Sequence, residues 1–293
     1  ERKGKEEKAK TKWTCPLLSL LTSIVFNLLF SPSTISTHHS LSVSMASSAV
    51  IGWRILFLLL GCTMATALVY TVATDGSPFR EQILSRVMVA TVIDIYISIV
   101  AIATWISYKE ANWITSTIWI VFLVCFSGIT TCAYILWQLW QLSSQESFED
   151  IMYHVLIRNP NKIGMDQQHS KQSNVMIAKI VFIVLSCLMA VNLVYLFSAG
   201  SPFRIEFFTP HWMVTTLIDF CIDATVLSIW MFYKEESWLT AIFWIVLLLS
   251  FGSISTCPFI VKELFKLNSG DPPHLILLKA SHRLKEGYVQ IIQ

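Results

Sequence analysis

Charge is scarce in this chain. Only 14% of its 293 residues are Asp, Glu, Lys or Arg, whereas 54% are hydrophobic. Soluble domains carry roughly 25% charged residues. The charges present are confined to short stretches between apolar runs. That excludes an ordinary soluble globule and predicts an all-α membrane protein that crosses the bilayer several times. The net charge of +2 is small and scattered, which argues against a nucleic-acid surface. The seven cysteines form no CxxC pair, and all but Cys15 lie inside apolar runs. A disulfide framework or a zinc site is therefore not expected. There is no HExxH, no P-loop and no nucleophile elbow. The seven histidines lie outside the apolar runs or at their edges. These absences point away from an enzyme and predict neither a metal nor a cofactor.

Six charge-poor windows are present after the polar stretch at 31–44. They predict spanning helices over 55–74, 87–108, 111–140, 180–199, 212–233 and 237–261. Each reaches the ~20 residues that a hydrocarbon core of ~30 Å requires. Their continuous apolar character favours helices over barrel strands. The stretch MASSAV beginning at Met45 reads as a translation start, which makes 1–44 upstream sequence. The alternative is a signal or anchor segment at 16–30.

The chain repeats itself. YKEANW at 108–113 returns as YKEESW at 233–238, and GSPFR at 76–80 returns at 200–204. From Met88 onward an offset of 125 residues holds without a gap through Leu139, with 22 identities in 52 positions. It aligns Asp94 with Asp219, Trp105 with Trp230 and Cys132 with Cys257. Shared apolarity alone does not hold such markers in register. The expected organisation is a first three-helix repeat at 45–162, a linker at 163–176 and a second repeat at 177–293. With three crossings per repeat the second copy enters from the opposite side, which predicts an inverted pair about an axis in the membrane plane. Lys and Arg divide eight against seven between the two sides, so the positive-inside rule sets no orientation.

Three carboxylates, Asp94, Asp219 and Asp223, fall inside predicted spans. Intramembrane acids usually face the bundle or a water-filled path, because exposure to lipid is costly. At 100° per residue, Asp94, Ser98, Ala101, Trp105 and Tyr108 share one face. Asp219, Asp223, Val226, Trp230 and Tyr233 do the same. The functional reading is a polar cavity between the second and fifth helices. There Asp94, Asp219 and Asp223 bind a cation, a proton or an amine, with Ser98 as a further cavity residue and Trp105 and Trp230 shaping the wall. The simpler reading is that each Asp hydrogen-bonds a neighbouring helix and holds the bundle together. Arg80, Arg204, Tyr108, Trp113, Tyr233 and Trp238 are expected as interfacial anchors, with Lys109 and Lys234 in water. The expected partners are the bilayer, a small cationic substrate and a second copy of the chain, with no nucleic acid. The alternative function is a non-transporting scaffold or regulator.

The paired GSPFR segments, the D…W..YKE..W stretch and the MASSA-type start resemble a plant family of multi-pass membrane proteins known only as a domain of unknown function. The resemblance spans about 50–285. It implies membrane residence and a plant origin, but no activity and no site residues.

Overall fold

The computed structural model describes residues 42–76, 86–110, 112–142, 148–157, 171–198, 211–267 and 273–279. Among these, the helices are α1 (Ser42–Asp75), α2 (Arg86–Lys109), α3 (Trp113–Trp140), α4 (Phe148–Leu156), α5 (Lys171–Ser198), α6 (His211–Lys234), α7 (Trp238–Phe251) and α8 (Ser253–Phe265). A 3₁₀ turn follows at Pro273–Leu277. The expected linker falls partly in α5, and its residues 163–170 lie outside the described residues.

Five helices are long and apolar enough to cross a membrane: α2, α3, α6, Val50–Asp75 within α1 and Val175–Ser198 within α5. Their outer surfaces remain apolar, with Leu59, Val69, Val191 and Val194 all exposed. Contiguous exposed apolar surface of this kind marks a contact face for a membrane or another protein. The exposed threonines behave accordingly. Thr63, Thr66, Thr104 and Thr117 each donate to the carbonyl four residues earlier. This satisfies a hydroxyl that has no water to bond.

The sixth predicted span is not one helix. The run 237–261 breaks at Gly252, whose φ of 63° and ψ of −140° interrupt the helix between α7 and α8. The third predicted span also bends back. Phe126, the residue aligned with Phe251, has non-helical φ −135° and ψ 35°. In a straight helix Trp119 and Tyr134 would stand about 22 Å apart. Their ring centroids are 5.1 Å apart, edge to face. Thr130 donates across the bend to the Phe122 carbonyl, and Tyr134 reaches Glu110, which precedes the helix, at 2.9 Å. The second repeat does the same: Trp244 meets Phe259 at 5.3 Å. Each repeat is thus two long helices followed by a helical hairpin. The sequence windows missed this because a hairpin of two apolar arms has the same composition as one long span.

The hairpins also overturn the expected inversion. Val87 and Met88 of α2, Trp212 and Met213 of α6, Leu68 of α1 and Leu196 of α5 form one cluster. The ends of α1 and α5 therefore meet the starts of α2 and α6 at a single end of the bundle. Thr71 bonds Thr215 at 2.6 Å there, and Asn192 donates to the Ala90 carbonyl at 3.0 Å. At the other end Trp53 and Ala178, near the starts of α1 and α5, share a cavity wall with Trp105 and Trp230, near the ends of α2 and α6. The repeats run the same way.

α2 and α6 are the most enclosed of the long helices, and α1 and α5 the least. Short segments close the lower end. α4 buries Ile151, Met152, Val155 and Leu156 against the bundle. Lys109 donates from Nζ to the carbonyls of His154 and Ile157, and Lys234 to those of Ile276 and Leu278. A cation at the last carbonyls of a helix is favourable. Neither lysine simply stays in water, as the sequence reading expected, and Lys234 is only 5% exposed.

Gly252 tests the hairpin. A Cβ there would stand 2.0 Å from Asp94 Oδ2, on a backbone that L residues rarely adopt. Gly252→Ala is expected to cost at least about 1–3 kcal/mol. Thermal unfolding in detergent measures this. A midpoint unchanged from wild type would contradict the hairpin.

Candidate functional site

A bend in an apolar helix exposes backbone N–H groups that need acceptors, because membrane-depth backbone finds no water. In each hairpin the second arm begins with such groups, and a carboxylate from the other repeat supplies the acceptor. Ser253 N donates to Asp94 Oδ1 at 2.7 Å. Gly128 N donates to Asp219 Oδ1 at 2.6 Å. Asp94 and Asp219 are equivalent residues, and so are Gly128 and Ser253, at the same 125-residue offset. The two caps are one interaction made twice, each reaching across the repeat boundary. A carboxylate at a helix N-terminus also meets the positive end of the helix dipole.

Gly128 is required at its tip for the same reason: a Cβ would come within 2.5 Å of Asp219 Oδ1. In the opposite repeat Ser253 uses its side chain as well. Its Oγ donates to the Asp94 carbonyl at 2.8 Å. That commits its single proton, so Ser98 is the donor in the 2.8 Å contact between the two serines.

Asp223 is different. It is 1% exposed and one turn further along α6 than Asp219. Ser127 donates to its Oδ2 at 3.1 Å. Thr131 lies 3.4 Å from Oδ1 and 3.0 Å from the Ser127 carbonyl. One hydroxyl proton serves one acceptor well, and the shorter contact takes it. Asp223 thus has one good donor for two oxygens and no ion-pair partner among the described residues. Its equivalent in the first repeat is Ser98. Thr256, the twin of Thr131, has a buried hydroxyl and no partner.

The residues expected around a polar cavity therefore divide into two levels. Asp94, Asp219, Asp223 and Ser98 are buried together with the hairpin tips. Trp105 and Trp230, lower on the same helix faces, line a cavity of about 220 Å³ whose walls are apolar and include none of the three carboxylates. No His, Cys, Asp and Glu group suited to a metal ion occurs among the described residues. The interfacial anchors divide too. Trp113 and Trp238 are 76% and 62% exposed. Tyr108 lines the cavity, and Tyr233 is buried at 3% exposure, which corrects its expected place at the membrane surface. Arg80 and Arg204 lie outside the described residues.

Sequence reasoning missed the role of Ser127, Gly128, Gly252 and Ser253. A signal for it existed: small residues align at both tips, Ser-Gly at 127–128 with Gly-Ser at 252–253.

One family accounts for both halves. The sequence model described as "Protein of unknown function (DUF1475)" matches residues 34–163 and again 164–285. The chain belongs to the DUF1475 family. Two adjacent matches correspond to the two repeats. No curated protein and no solved structure matches the chain.

The caps make a symmetric prediction. Asp94→Ala and Asp219→Ala each strand a buried N–H, at a cost of about 1–3 kcal/mol. The two variants are expected to lower the unfolding midpoint by similar amounts, and the Asn variants, which keep an acceptor oxygen, by less. A midpoint that falls for one Ala variant alone would show the caps are not equivalent.

Proposed function

We propose that the chain is an integral membrane protein of four crossing helices and two re-entrant hairpins, and that it carries or conducts a proton or small cation through the layer where the hairpin tips meet. The pseudo-two-fold axis then lies along the membrane normal. Support for the hairpins as re-entrant elements comes from length. Arms of 14 and 13 residues (α7 and α8) extend about 21 Å or less, short of the ~30 Å hydrocarbon core. Broken helices with their tips buried at the repeat boundary are a recurring way to build ion sites in transporters.

The observation that carries the reading is the asymmetry at Asp223. Capping occupies Asp94 and Asp219, and the first repeat completes the same packing with a neutral serine. An acid at 223 is not needed for the architecture, yet it is fully buried and under-supplied with donors. Buried intramembrane acids of that kind mark ion and proton paths. A scaffold with no transport is the competing reading, and the two dry caps support it, since they give two of the three acids a purely structural use.

Asp223→Ser copies the first repeat and is expected to fold. In reconstituted vesicles it should abolish proton or alkali-cation flux shown by the wild type, and Asp223→Asn should do the same. Equal flux in wild type and both variants removes Asp223 from the mechanism. No flux from the wild type leaves the scaffold.

The membrane arrangement has its own test. Single cysteines replacing Asn112 and Ser237, in a background without native cysteines, are expected to react with an impermeant maleimide from the same face of the membrane. Reaction from opposite faces would restore the inverted arrangement.

A further inference from the structure

The proposed path admits a proton or a small cation, and Ser127 separates the two. Its Oγ lies 3.1 Å from Asp223 Oδ2. The same hydroxyl also hydrogen-bonds the Asp219 side chain. It therefore bridges two acids that stand one turn apart on α6. The bridge has no twin. At the equivalent positions the other side carries Gly252 for Ser127 and Ser98 for Asp223. There Ser98 bonds Ser253, and Ser253 commits its proton to the main-chain carbonyl of Asp94, not to its carboxylate. The acid and the bridging hydroxyl thus occur together, on one side of the axis only. Capping explains neither, because Asp94 caps its hairpin without them.

A desolvated metal cation needs several oxygens around it at once. This layer does not offer them. Asp94, Asp219 and Asp223 do not converge as the ligands of one ion would. The carbonyls of Ser127, Asp94 and Gly252 each already accept a hydroxyl. A proton needs one acceptor at a time. Charge points the same way. The ionisable groups around Asp223 are Asp219 on its own helix, Asp94 from α2 and Cys132 from α3. None of the three carboxylates pairs with a Lys, Arg or His among the described residues. Three buried negative charges with no cation among them are costly, and one bound proton relieves the repulsion. Asp94 and Asp219 are taken as acceptors for main-chain N–H groups. Asp223 faces a hydroxyl, which accepts as readily as it donates.

We infer that the ion carried is a proton, held by Asp223 as a neutral acid and passed to Asp219 through Ser127. The inference rests on the proposed path and names what moves along it. Before transfer Asp223 donates from Oδ2 to Ser127 Oγ, and Ser127 donates to Asp219. In transfer the Asp223 O–H bond breaks as a new O–H bond forms on Ser127. The original Ser127 O–H bond breaks as one forms on Asp219 Oδ2. One proton has moved to Asp219, one negative charge has moved to Asp223, and Ser127 is a hydroxyl again. Asp219 Oδ1 keeps its cap on Gly128.

The test uses the full chain in vesicles that hold a pH-sensitive dye, with proton entry driven by a potassium diffusion potential. Rubidium uptake is measured in parallel. Ser127→Gly copies the opposite tip, and Ser127→Thr keeps the hydroxyl. The wild type is expected to admit protons and to take up no more rubidium than empty vesicles. Ser127→Gly should cut proton entry by about a hundredfold, the scale for losing a positioned proton-transfer group. Ser127→Thr should restore most of it. Infrared spectroscopy reads the same groups without flux. A protonated-carboxyl band is expected in the wild type at neutral pH. It should vanish in Asp223→Ser and shift in Ser127→Gly, where its acceptor is gone. Rubidium uptake that is lost in Asp223→Ser overturns the proton assignment and keeps the path. Proton entry undiminished in Ser127→Gly, or a carboxyl band that survives in Asp223→Ser, overturns the relay. Neither flux in the wild type overturns the path itself and the relay with it.

Discussion

Two hydrogen bonds hold this architecture open to its own sequence: the Asp94 carboxylate on Ser253 N and the Asp219 carboxylate on Gly128 N. A helix broken inside a membrane is costly unless the freed amides find acceptors. Here each break is satisfied by the opposite repeat. Each hairpin can therefore fold back on itself, with α2 and α6 packed together at the centre. Remove the exchange, and each bend is left with a buried amide that has lost its acceptor. The two glycines at the tips follow from the same demand, because a Cβ at Gly128 or Gly252 would come within 2.5 Å or 2.0 Å of the Asp219 or Asp94 carboxylate.

Below that layer the structure is aromatic and apolar. Trp105 and Trp119 pack edge-on against Tyr134, and Trp230 and Trp244 against Phe259. These clusters lock the arms of each hairpin to one another and to the preceding long helix. Such edge-to-face contacts contribute about 0.5–1.5 kcal/mol each beyond their buried area. They also fix the wall of the cavity on one side, while the lysine-held end segments close the bottom.

Much of this was legible before any coordinates. Low charge and long apolar runs predict the helices long and apolar enough to cross a membrane, and the gapless offset with matched Asp, Trp and Cys corresponds to the two adjacent family matches. The stripe Asp94–Ser98–Ala101–Trp105–Tyr108 does face inward, its upper part in the carboxylate layer and its lower part along the cavity. What composition could not reveal was the bend. A window average over 113–140 is blind to whether residue 134 lies 22 Å beyond residue 119 or beside it. The expected inversion rested on that straight span, because an odd number of crossings implies inversion and an even number does not. The misplaced anchor Tyr233 has a local cause: the end segment at Pro273–Leu277 covers it, and nothing in YKEESW announces a cover supplied forty residues later.

The reciprocal exchange also bears on ancestry. A single repeat offers one carboxylate and needs one, but they are placed so that it cannot serve itself. Two separate copies, side by side and pointing the same way, would satisfy each other completely. A same-way pair of identical subunits would therefore be able to make both caps. Once fused, the halves were no longer bound to be identical. Ser98 opposite Asp223, and Ala178 opposite Trp53, are differences that two identical subunits could not hold on one side of their axis.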